Sequence, residues 1–168
     1  MTDPEVPQAL DRILHLIQRE LDQLYGPGGY HQWDEWAFMR VEDGAVIFIV
    51  ASPLEDDAVV NVRCYAVRDL EESGPEVGDF VARLNADQLF GAFSVDEDGD
   101  VCFGYSILGS SLTPEALLLA IHVVARASIQ HAPAIIERWG GLTSLEKLTN
   151  ELEAHPPGES VPGEEEPN

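Results

Sequence analysis

An Asp98-Gly99 dipeptide between two apolar runs, followed closely by Thr113-Pro114-Glu115, constrains this chain more than any other feature. Both residues of an Asp-Gly pair tolerate positive φ, so the dipeptide closes a hairpin between strands predicted over Phe90–Asp96 and Val101–Leu108. Thr113 then caps a long helix that Pro114 starts. A helix over Val77–Gln88 precedes the hairpin. An α+β plan follows, with no nucleotide loop, metal cluster or nucleophile to declare an activity.

The N-terminal half fits the same plan. Val6, Leu10, Ile13, Leu14, Ile17, Leu21 and Leu24 recur at helical spacing, and Gly26-Pro27-Gly28-Gly29 ends that helix. A first strand is predicted from about Trp33 to Val41, and Asp43-Gly44 turns it into a second, Ala45–Ala51. A third covers roughly Ala58 to Val67. The expected order is α-β-β-β-α-β-β-α, an antiparallel sheet packed with helices in one domain. Thr143 and Glu146 form a capping box for a short added helix, with Leu142, Leu145, Leu148 and Leu152 as its apolar side. The domain is expected over 1–153, followed by an acidic Pro/Gly/Glu tail over 154–168 too poor in apolar residues to offset ordering entropy.

Charge narrows the partners. The chain carries 31 Asp and Glu against 9 Lys and Arg, a formal charge of −22. Such a surface repels phosphate backbones and anionic lipid heads, so neither nucleic acid nor a membrane surface is expected as a partner. The acidity serves solubility, or it meets a basic or apolar polypeptide. No secretory pattern opens the sequence, and the longest apolar run is shorter than a membrane span, so a cytoplasmic protein is expected. Cys64 and Cys102 fall inside apolar strands and are expected to be buried free thiols.

Two elements carry more apolar surface than one buried side requires. Ala45 to Ala51 is apolar without alternation, so either both sheet faces are covered there or one is an apolar docking surface. Leu117 to Ala125 wraps most of a helix circumference, which a second subunit or the chain's own helices must cover. Homodimerisation is the preferred explanation.

The chemical motifs fall short. Asp96, Asp98 and Asp100 have the first spacings of a calcium loop, but Val101 and Ile107 stand where Gly and Glu are needed, leaving a hairpin tip. The five histidines form no ligand pattern with the cysteines, and His122 reads as a core imidazole. Ser110-Ser111 lacks a nucleophile elbow. Of the tryptophans, Trp36 is expected to pack inward. Trp33, an odd step away, meets solvent, the first helix or a partner. No catalytic residue, metal or cofactor is expected.

Phe80-Val81-Ala82-Arg83-Leu84-Asn85, then Gly91-Ala92-Phe93-Ser94-Val95-Asp96 and Gly99-Asp100-Val101-Cys102-Phe103, followed by Thr113-Pro114-Glu115, resemble the class I type III secretion chaperones and the related YbjN-like proteins of bacteria. The resemblance covers roughly residues 6–139. It implies a small acidic protein, commonly a homodimer, that binds extended or partly unfolded polypeptide; the YbjN-like branch carries the label of a sensory-transduction regulator. By analogy Val77, Phe80, Val81 and Leu84 form a candidate dimer surface; they are equally good core residues, a reading favoured for Phe80 and Leu84. Phe48, Val50 and Trp33 form the candidate partner surface, where a peptide adds to a sheet edge or lays apolar anchors on the sheet. The alternative is a small-molecule sensor or enzyme, which requires an enclosed pocket with polar groups such as His122, Cys64 or Arg63.

Overall fold

In the computed structural model, which describes residues 8–72 and 74–155, six strands form one antiparallel sheet. The elements are α1 (Gln8–Tyr25), β1 (His31–Asp34), β2 (Ala37–Glu42), β3 (Ala45–Leu54), β4 (Asp57–Val67), α2 (Pro75–Asn85), β5 (Ala92–Val95), β6 (Val101–Leu108), α3 (Pro114–Trp139) and α4 (Ser144–Ala154). Across the sheet the strands run β1-β2-β3-β4-β6-β5. The mixed α+β plan and its antiparallel sheet agree with the sequence reading.

The segment expected to form a single first strand folds as two. A turn at Glu35-Trp36 breaks it into the β1–β2 hairpin, and the Trp36 carbonyl accepts the Ala51 N–H at 2.9 Å. Trp36 therefore sits at a hairpin tip, exposed rather than packed inward. Aromatic content signalled a strand, but nothing of the Asp-Gly kind marked this turn. Val6 and residues 156–168, with nearly all of the expected tail, lie outside the described residues.

Alternation decides the faces. Ile47, Ile49 and Ala51 of β3, Val60, Val62 and Cys64 of β4, and Val101 and Phe103 of β6 are almost fully buried. Their side chains share one face, because residues two apart on a strand point the same way. α1 lays Leu10, Ile13, Ile17 and Leu21 against β3 and β4, and α3 crosses β2, β3, β4 and β6. Each fully buried Leu or Ile there contributes about 1.5–3 kcal/mol.

α3 is long and apolar enough, by length and composition alone, to cross a membrane. It lies across the sheet instead, burying Leu117, Ile121, Val124, Ala125 and Ile135. Val123 and Ile136 pack on the same core, while Leu119 and Ile129 stay exposed. Of the two coverings expected for this helix, the subunit's own thus supplies most. His122 is not a core imidazole: its side chain is exposed, 3.5 Å from Glu42 Oε1.

α2 flanks the β5 edge and turns Val77 and Val81 into the core, with Phe80 edge-on to Trp139 at 5.2 Å between centroids. The Asn85 side chain ties helix to strand, accepting the Phe93 N–H at 2.6 Å and donating to the Phe93 carbonyl at 2.9 Å. The Asp98-Gly99 tip is a closed turn in which Asp96 Oδ1 accepts the N–H groups of Asp98 and Asp100.

Candidate functional site: the second face of the sheet

α1 and α3 cover one face of the sheet, so the opposite face decides what the molecule offers. It carries Trp33, Met39, Val46, Phe48, Val50, Asn61, Arg63, Tyr65, Cys102, Gly104 and Ser106, as the strand registers place them. α4 covers one end. α3 stops at Gly140, and Gly141, with φ at +98°, brings the chain against β4, where a Cβ would lie 2.7 Å from the Arg68 carbonyl. Leu142 then exchanges both backbone hydrogen bonds with Arg68, and α4 begins.

The capping box forms as expected: Thr143 Oγ1 accepts the Glu146 N–H at 3.2 Å, and Glu146 accepts the Thr143 N–H at 2.8 Å. The Thr143 N–H, together with the Thr143 hydroxyl that donates to the same carboxylate at 2.8 Å, holds the Glu146 carboxyl below its usual range. The next residue, Ser144, is buried, and its Oγ accepts the Val46 N–H at 3.3 Å and lies 3.5 Å from Cys64 Sγ. Lys147 bonds Asp69 at 2.6 Å. Under α4 a cleft of about 140 Å³ remains, bordered by Met39, Val46, Phe48, Tyr65, Lys147 and Leu148.

An aromatic row runs along the mouth of this cleft beside α4, with Trp33 edge-on to Phe48 at 6.0 Å and Phe48 edge-on to Tyr65 at 6.2 Å. Away from α4 the face is open. The Arg68 guanidinium stands 5.0 Å over the Tyr65 ring and bonds Asp100 at 2.9 Å, which holds its proton more firmly than usual. Trp33 is 59% exposed, and Phe48 and Val50 are half-buried. The apolar run of β3 is thereby explained in parts: α1 and α3 cover one side, α4 covers Val46, and Phe48 and Val50 keep surface of their own.

The structure brings Trp33 and Phe48 together and sets Val50 two residues further along β3. It does not place Val77, Phe80, Val81 and Leu84 on one outer surface. Val77 and Val81 are buried within the subunit, so Phe80 and Leu84 are the members with outward area. Near them Leu89 is 91% exposed and Phe90 about half exposed, beside an open groove lined by Leu84, Val123 and Ala127. Sequence reading missed Leu89, Phe90, Tyr65 and Gly104; the alternation of β4 and β6 could have placed the last two on the Phe48 face.

Both thiols are free; Cys64 is buried as expected, whereas Cys102, on the second face of the sheet, is only half-buried. Burial pushes Cys64 up, the Ser144 hydroxyl opposing it, and pushes Cys102 up to about 12 despite the nearby Arg63. Among the described residues no three His, Cys, Asp or Glu side chains are grouped to hold a metal ion.

A helix-backed antiparallel sheet with an aromatic second face defines the α+β module that the described residues form. The chain belongs to the family described as T3SS (YopN, CesT) and YbjN peptide-binding chaperone 1, whose model matches residues 11–147. The match stops inside α4. A crystal structure of an uncharacterized protein from Methanothermobacter thermautotrophicus is similar over 76% of this chain and 99% of that one, at 20% identity and a TM-score of 0.55. That likeness shows the fold alone. No curated protein matches.

Proposed function

We propose that the chain is a non-enzymatic module that binds extended polypeptide on the open sheet face, with a chaperone-like or regulatory role. The observation that carries this reading is the row Trp33–Phe48–Tyr65, apolar and aromatic, on the sheet face opposite α1 and α3. Strand-like segments present alternate side chains to a sheet, and aromatic rings supply contact area at low entropic cost. The family description names peptide binding, and the hollows support it over the sensor or enzyme reading. Ligand pockets run to about 300–1,000 Å³ and bury most of their ligand. The cleft under α4 is about 140 Å³, and the larger hollows, of about 500, 560 and 810 Å³, are open grooves.

The acidic surface favours partners of basic or weakly charged sequence. Partly unfolded clients in the cytoplasm suit such a face, and a role in sensory transduction rests on the YbjN-like resemblance. Homodimerisation is supported by the apolar rim Phe80, Leu84, Leu89 and Phe90.

Gly104 supplies the test. It lies on the open face, its φ is outside the positive region, and a Cβ there meets nothing closer than 3.6 Å. Gly104→Leu should leave the fold intact by circular dichroism while blocking the face. Loss of binding to a fluorescein-labelled peptide of alternating Leu and Ser flanked by lysines is expected. Undiminished binding by the folded variant would refute docking at this face.

A further inference from the structure

Four cationic side chains among the described residues are half-buried: Arg40, Arg63, Arg68 and Lys147. Three of them hold a carboxylate: Arg40 pairs with Glu42, Arg68 with Asp100 and Lys147 with Asp69. Arg63 pairs with none among the described residues, and its Nε is buried without a hydrogen-bond partner there. In a chain with 31 acidic residues against 9 basic ones, a half-buried arginine without a carboxylate runs against the composition. A buried donor without an acceptor also costs free energy that a ligand could recover.

Its position suits a ligand. Arg63 lies on the second face, opposite Phe48 on one side and Gly104 on the other. Gly104 puts no side chain beside it: even an added Cβ would stay 3.9 Å from Arg63 Cβ. Phe48, Val50 and Tyr65 make the surroundings apolar, which strengthens a charge-assisted hydrogen bond. The planar guanidinium matches a carboxylate with two parallel bonds.

We propose that Arg63 is the seat for one Asp or Glu side chain of the bound polypeptide, set between apolar residues that dock on Phe48 and Val50. This rests on the peptide-binding reading above and adds a specificity to it. The acidic surface and the seat act at different ranges. Exposed charges are largely screened beyond about 8 Å at physiological ionic strength, so the surface selects against acidic chains as a whole. Arg63 takes a single carboxylate at contact. The fitting segment is extended, apolar and neutral or basic overall, with one acidic residue inside it.

The test uses the full chain and two labelled peptides of alternating Leu and Ser flanked by lysines, identical except for a central Glu or Gln. Fluorescence anisotropy should show the Glu peptide bound on the order of tenfold more tightly than the Gln peptide. Arg63→Met, which keeps an apolar stem, should bind both equally, at the affinity of the wild-type protein for the Gln peptide. Equal binding of the two peptides by the wild-type protein would overturn the seat while leaving peptide binding standing. No binding of either peptide would overturn the peptide-binding reading, and the seat with it.

Discussion

Phe48 and Arg63 face each other across the β3–β4 ladder at the last paired position before the strands part. Beyond them the Val46 N–H no longer has a β4 carbonyl and is taken by Ser144 Oγ. This pair therefore marks a border: on one side α4 wedges into the sheet, and on the other the face is bare. The apolar and cationic groups available to a partner collect at that border.

Ser144 is the first point to test. Replacing it by alanine removes the acceptor of a buried N–H, and such an orphan costs about 1–3 kcal/mol. Ser144→Ala should lower the urea midpoint accordingly. An unchanged midpoint would mean that α4 does not hold the parted strands in solution.

The thiols give a pH dependence. Cys102 is pushed up to about 12 and Cys64 is raised, both by burial, whereas an unfolded thiol titrates near about 8.5. Below that value both states keep their protons and the contribution to stability is complete. As pH rises from there toward the folded values, the unfolded chain releases protons that the folded one retains, so stability falls. Denaturation midpoints should decline between about pH 8 and about pH 10, and less steeply in Cys102→Ser. Iodoacetamide should label the native protein far more slowly than the unfolded one. Equal labelling rates at Cys64 would contradict its burial.

Leu89 tests the association surface. It is 91% exposed beside Phe90 and Leu84, so a homodimer using this rim buries it, and Leu89→Glu would place a charge there. Light scattering coupled to chromatography should give a dimer for the native chain and a monomer for the variant. A monomeric native chain, or a variant that remains dimeric, would remove this rim from consideration.

The legible parts of the sequence were those with local chemistry. Asp98-Gly99, Thr113-Pro114 and the Thr143/Glu146 box mark their turn and helix starts through short-range steric and hydrogen-bonding rules, and each forms as read. The break at Glu35-Trp36 escaped because no residue there demands an unusual φ; the turn is made by long-range pairing of β2 with β3. His122 and Trp36 were misplaced for a related reason. Apolar neighbours along the chain did not reveal which side of the element faced inward.

The candidate site divides in the same way. Phe48 and Val50 were visible as surplus apolar residues on β3, and Trp33 as an aromatic with no clear inward position. Tyr65 and Gly104 were within reach of strand alternation, but the solitary state of Arg63 depends on β4 lying between β3 and β6, a crossover that periodicity does not encode. Val77 and Val81 show the limit of analogy: their helix was correct, but their side chains serve this subunit's own core.

The most direct measurement is a map of backbone amide chemical shifts on adding the lysine-flanked Leu/Ser peptide with its central Glu. Docking on the open face predicts changes concentrated at Trp33, Phe48, Val50, Arg63, Tyr65 and Gly104, with the α1 and α3 amides largely still. Changes confined to α1, α3 or the Leu89 rim would contradict it.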